Sequence, residues 1–309
     1  MTGAHRGLDI EAVSGTIGLM RSCVLTPLML LAMTSPVQAL DLQALWDFGN
    51  PALSEQRFRQ ALAQAQGDEA LILHTQIARS HGLRKDFDAA RSVLRQIELA
   101  IGTAGAEARV RYHLEFGRTF ASAAHDPKSL TPEAKAQARH HFDAALGIAR
   151  GARLDALAID AIHMFAFIDT APADQLKWGQ AALEVVLSST QDSARRWEAS
   201  VRNNIGVALG QLGRHEEALG QFHQALAIRE RGTNAQATRV AHWMVARTLR
   251  SLQRHDDALA IQLGLEREFD AAGQPDPYVF EELEALYRAT GDTAKAEHYR
   301  ARKQATGKP

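Results

Sequence analysis

The chain has 309 residues, a formal net charge of −1, a single cysteine, 23% charged residues and only 6% aromatic residues. The 35 Lys and Arg nearly cancel the 36 Asp and Glu, and no basic tract is long enough to track a polyanion, so nucleic acid is excluded as a partner. Low aromatic content with this much charge suits stacked helices better than a sheet, and one thiol excludes a disulfide framework.

Residues 20–39 read MRSCVLTPLMLLAMTSPVQA: Arg21, then an apolar run over 23–33, then a small-residue end at Val37-Gln38-Ala39. This is the pattern of a secretory signal peptide, with cleavage expected after Ala39. The alternative is a retained membrane anchor, but the run is roughly half the ~20 residues a spanning helix needs, and Pro27 interrupts it. Residues 1–19 carry neither a charged leader start nor a folded pattern, which makes Met20 a candidate start. Cys23 leaves with the leader, and Arg21-Ser22 before it lacks the small apolar residues of a lipid-attachment box. The expected mature chain is periplasmic or secreted, without a stable membrane anchor; it stays cytoplasmic if the leader is unused.

From residue 40 onward the pattern is helical. Residues 40–48 form a short amphipathic lead-in, and Asn50-Pro51 supplies a cap and a proline start for a helix to Gln66 that carries Phe58, Ala61 and Leu62 on one stripe. Gly67-Asp68 breaks it and caps a helix over 69–82, which is followed by one with Phe87, Ala90, Leu94 and Ile97 in register. The helix over 110–122 is paired late: extra residues at 125–133 enlarge the turn before Thr131-Pro132-Glu133 starts the helix of Ala138, Phe142, Ala145 and Leu146. Helices over 154–168 and 173–187 form the next pair, with Trp178 and Ala181 in the aromatic and small positions. The clearest unit is VRNNIGVALGQLGRHEEALGQFHQALAI at 201–228, with Ile205, Leu209 and Leu212 at helical spacing, a stop at Gly213, and a second stripe of Ala218, Phe222, Ala225 and Leu226. Helices over 239–252 and 255–269 repeat it, and those over 277–289 and 291–303 close the array.

Gly206, Gly213, Ala218, Phe222 and Ala225 fall at the signature positions of the tetratricopeptide repeat (TPR), and the chain resembles that family over nearly its whole mature length, with specific motifs in the last three repeats and degenerate ones in the first four. WDFGNPALSEQRFRQAL, IARSHGLRKDFDAAR and VAHWMVARTLRSL further resemble a group of bacterial TPR proteins; that likeness implies a fold and no activity. The expected architecture is all-α: a right-handed α-solenoid of antiparallel helix pairs, one domain over 40–309 with six to seven pairs, since one helix pair cannot bury its apolar face alone.

The resemblance implies a concave groove lined by the first helix of each pair. On the sides opposite the apolar stripes stand Glu115, Arg118, Asp160, His163, Asn203, Asn204, Trp243, Arg247 and Arg250. Arginine forks match carboxylates, and an Asn amide matches the N–H and C=O of an extended peptide. Each has a plainer use: Asn caps or bridges helices, Arg forms solvated ion pairs, Trp packs between repeats. No Lys occupies these positions, so the Lys-Asn-Asn-Lys-Arg clamp for chaperone tails is incomplete. His-Glu-x-x-His, Gly-x-Ser-x-Gly and phosphate-loop motifs are absent, so no catalytic, metal or cofactor site is expected. Asp160 and His163, one turn apart, are half a site with no third ligand in register, and His140-His141 beside Arg139 reads as a solvated face. The expected function is a non-enzymatic scaffold that holds a protein or peptide partner in the groove; the alternatives are a peptide or metabolite sensor that changes curvature, and a hydrolase built on Asp160 and His163.

Overall fold

The computed structural model describes residues 40–306, so the leader expected at 1–39 lies outside the described residues. The described chain is helical in this order: α1 (Leu42–Leu45), α2 (Pro51–Leu62), α3 (Gly67–Leu83), α4 (Phe87–Ile101), α5 (Ala106–Arg118), a 3-10 turn at Pro127–Ser129, α6 (Pro132–Gly151), α7 (Asp155–Phe165), α8 (Pro172–Ser188), α9 (Asp192–Arg195), α10 (Glu198–Gln211), α11 (His215–Arg229), α12 (Ala235–Ser251), α13 (His255–Ala271), α14 (Pro277–Ala289) and α15 (Thr293–Ala305). Antiparallel pairs α3–α4, α5–α6, α7–α8, α10–α11, α12–α13 and α14–α15 stack in sequence, each second helix packing on the next first helix. This is the expected α-solenoid.

Local chemistry sets the turns. Asn50 accepts the Leu53 N–H at 3.2 Å to cap α2, and Thr131 accepts the Ala134 N–H at 3.2 Å to cap α6. Lys85, Gly213, Gln253 and Gly291 all take positive φ at the same corner between first and second helix. The next N–H in each case reaches back to close the turn: Asp86 to His81, Arg214 to Leu209, Arg254 to Leu249 and Asp292 to Tyr287, at 2.9–3.0 Å. Asp68 does not cap α3 as expected; Gln66 precedes the helix, and the Asp68 carboxylate instead accepts the Gly105 N–H at 2.9 Å, tying α3 to the start of α5.

Packing explains the signature glycine. A Cβ on Gly206 would lie 2.7 Å from ring carbons of Phe222, a buried side chain of α11, so only Gly lets α10 close onto that ring. Gly117 and Phe142 repeat the arrangement in α5 and α6. Among the described residues, backbones of successive first helices approach one another (α3 with α5, α5 with α7, α12 with α14), and no two successive second helices approach to the same extent. That asymmetry places the first helices on the inner wall of the curve.

Candidate functional site

The inner wall has three parts. In its first part Arg118, on α5, donates through Nη1 to Glu115 Oε1 at 2.5 Å, through Nη2 to Asp160 Oδ1 of α7 at 2.5 Å, and through Nε to the Met164 sulfur at 3.2 Å. Arg79 on α3 reaches the same Glu115 oxygen at 3.5 Å. Glu115 is 4% exposed and Asp160 8%, so one buried row of charges crosses three first helices. Burial raises the Asp160 pKa, but Arg118 and Arg79 outweigh it and hold the carboxyl below its usual value. Burial likewise opposes the Arg118 charge, and Asp160 and Glu115 overcome it. The guanidinium is therefore spent on protein partners. Trp46 and Phe48 stack at 4.7 Å, with the Arg79 guanidinium 5.8 Å from each ring, and finish this end of the wall.

In the last part Arg250 binds Glu282 of α14 with two bonds, Nε to Oε2 at 2.7 Å and Nη2 to Oε1 at 3.0 Å, and the hydrogen bond to Glu282 raises the arginine pKa. Trp243 donates Nε1–H to the Tyr278 carbonyl at 3.3 Å, joining α12 to α14. Arg247 is held loosely: its Nε is 3.8 Å from Glu282, its guanidinium lies 5.3 Å from the Trp243 ring centroid, and half of its side chain is exposed.

Between these lies α10. Asn203 and Asn204 are half-buried on it, and among the described residues neither side chain makes a hydrogen bond, nor does any ion pair join α10 to α7 or to α12. Residues 189–197 connect α8 to α10 where 152–154 suffice between α6 and α7, and this longer stretch, with α9, packs on α7. Trp197 sets its ring 6.1 Å from His163. Burial lowers the His163 pKa and Asp160 opposes that only in part, so the imidazole is neutral near pH 7; no hydrogen bond joins it to Asp160 among the described residues.

Glu115, Arg118 and Asp160 thus come together in one closed network, and Trp243 and Arg250 join a second through α14, with Arg247 at its edge. Asn203 and Asn204 stand apart from both, and His163 packs against Trp197 and Phe167. The plainer expectation for the arginines, solvated ion pairs with neighbours such as Glu115 and Asp160, is met in partner by Arg118 but not in setting, because that row is buried. Sequence reasoning missed a histidine pair. His140 is exposed as expected, but His141 is half-buried, stacked on Phe116 at 4.5 Å, with its Nδ1 3.1 Å from Nδ1 of His113. The α6 face that looked solvated is an edge onto α5. Among the described residues no three His, Cys, Asp or Glu group as metal ligands, and no helix is long and apolar enough to cross a membrane.

A tetratricopeptide repeat family model matches residues 176–262, from α8 into α13. Among curated proteins no match is found. Of solved structures, the apo form of RapI is similar with a TM-score of 0.64 at 11% identity, over 85% of this chain and 74% of that one. A Rap protein complexed with competence and sporulation factor is similar with a TM-score of 0.51 at 12% identity, over 85% and 72%. A STAND signal-transduction ATPase with a tetratricopeptide repeat sensor, from Pyrococcus horikoshii, gives 0.61 at 12%, over 84% of this chain and 39% of that longer protein. At these identities the likeness establishes the fold alone: a solenoid of TPR-like pairs.

Proposed function

We propose that this chain is a non-enzymatic binding scaffold that works outside the cytoplasm and holds a protein or peptide segment against the inner wall at α10 and α12. The observation that carries this reading is the unspent hydrogen-bonding capacity of Asn203 and Asn204, flanked by the loosely held Arg247. Two amides offer donors and acceptors to an extended main chain, and a half-exposed guanidinium offers a carboxylate partner without breaking a buried pair. The buried Glu115–Arg118–Asp160 row fits the role of holding first helices together better than that of touching a ligand, because removing it from its partners would strand charge. The structure of a Rap protein complexed with competence and sporulation factor supports a binding role for such a solenoid, and the pattern at 20–39 supports export.

The test starts with a pull-down from periplasmic extract using the mature chain as bait. Titration calorimetry of Asn204→Ala and Arg247→Ala against the recovered partner should then show losses of roughly 0.5–1.5 and 1.5–3 kcal/mol respectively. Circular dichroism melts should stay within about 0.5 kcal/mol of the parent chain. Unchanged affinity in both variants would move the partner off α10 and α12. A second reading, a sensor that changes curvature on binding a peptide or metabolite, is favoured by the polar link between α12 and α14 beside this patch.

A further inference from the structure

Successive second helices carry an apolar side chain at one register position: Phe58, Leu94, Phe142, Trp178 and Phe222. On α13 that position holds Gln262. It is fully enclosed, at 0% exposure, and among the described residues neither its Nε2 nor its Oε1 has a hydrogen-bond partner. The facing first-helix position changes with it, from Gly206 in the preceding repeat to Ala246, as a smaller partner allows. The amide keeps the length of a core side chain but leaves two polar atoms unsatisfied where the five preceding second helices gain apolar burial.

The apolar packing thins at the same place without breaking: Leu286 of α14 still belongs to the large cluster, and Leu259 and Ile261 touch both. Ala258, one turn earlier on α13, belongs to the large cluster that runs back to Val110. Leu265 and Phe269, one and two turns later, belong to a second cluster with Phe280, Leu283 and Tyr299. Across this thinner packing the inner wall is bridged by polar contacts, Arg250 to Glu282 and Trp243 to the Tyr278 carbonyl.

We propose that Gln262 marks a joint at which the end of the array, the second half of α13 with α14 and α15, moves as a unit relative to α10–α12. Opening elsewhere exposes apolar surface to water. Opening here also returns a stranded amide to water, so this seam opens at lower cost than its neighbours, and a solenoid opens first at its weakest interface. Asn203, Asn204 and Arg247 lie on one side of the joint and Glu282 on the other, so the wall around the patch changes shape when the joint moves. The joint needs no bound partner to open.

Hydrogen exchange of the full chain, read by mass spectrometry, tests it with Gln262→Leu and, in case the branched side chain does not fit, Gln262→Met. Exchange across Pro277–Ala289 and Thr293–Ala305 should slow by about tenfold in at least one variant, while α3–α8 stay within about twofold of the parent. Unchanged or faster exchange at the C-terminal pair in both variants, or loss of folding in both, would show that the amide is satisfied in solution and would overturn the joint. Equal slowing along the whole array would overturn it too, since that is general stabilisation.

Discussion

Replacing Gly206 with alanine should destabilise the array even though the same change in an exposed helix stabilises it. Gly is about 1 kcal/mol less favourable than Ala inside a helix, so an alanine that touches nothing should gain close to that amount. At Gly206 the new methyl would meet Phe222 ring carbons at 2.7, 2.7 and 2.9 Å, closer than carbon atoms approach. Phe222 is 2% exposed and packed on all sides, so the ring cannot swing away and the two helices must separate. Overpacking of this kind costs about 1–3 kcal/mol, which leaves a net loss of up to roughly 2 kcal/mol after the helix gain of about 1 kcal/mol. Gly220, exposed on α11 with nothing within 4 Å of its would-be Cβ, is the control, and Gly220→Ala should gain up to about 1 kcal/mol. Guanidinium unfolding with hydrogen exchange, which localises the loss to adjacent repeats, reads both variants. A Gly206→Ala protein as stable as Gly220→Ala would refute the close approach of α10 to the Phe222 ring.

Arg118→Met should cost about 3–5 kcal/mol, because Glu115 and Asp160 would remain buried without their shared cation; a melt unchanged within error would return these residues to a ligand-binding role. Ala225 is 3% exposed, and Ala225→Leu should lose about 1–3 kcal/mol by overpacking, measured by thermal unfolding. His113 and His141 are each held near pKa 4, chiefly by burial and then by their histidine neighbours and, for His113, Arg109, so the unfolded chain binds protons that the native chain refuses. Stability should therefore be full above about pH 6.5, fall as pH drops toward 4, and fall less steeply in His141→Phe, as denaturant midpoints across that window will record. N-terminal sequencing of the exported protein should begin at Leu40; a recovered chain that keeps Met1 or Met20 would remove the extracytoplasmic assignment.

Helix existence and order were legible because apolar spacing, proline starts and positive-φ corners act within a few residues; Asn50, Thr131 and Gly213 do in the structure what their types promise. The candidate wall was legible as a face, since helical periodicity alone puts Asn203, Asn204, Arg247 and Arg250 opposite the apolar stripes. Which of those side chains remained available was not legible. Arg247 and Arg250 are the same residue type one turn apart, yet Glu282, on another helix, takes both oxygens to Arg250 and leaves Arg247 loose. His141 looked exposed beside His140 because the sequence of α6 does not show that α5 brings His113 and Phe116 against it.

The sequence by itself determined the repeat: a chain with Gly206 facing Phe222 and small residues at Ala218 and Ala225 can bury its stripes only by stacking helix pairs. Tertiary structure alone decided the partners of the polar residues. Ion pairs such as Arg118 with Asp160 join residues on different helices, and their energy depends on distance and burial, which no local pattern encodes. The same holds for Gln262, whose register was written in the sequence but whose complete enclosure without a partner appears only when α12, α13 and α14 close around it.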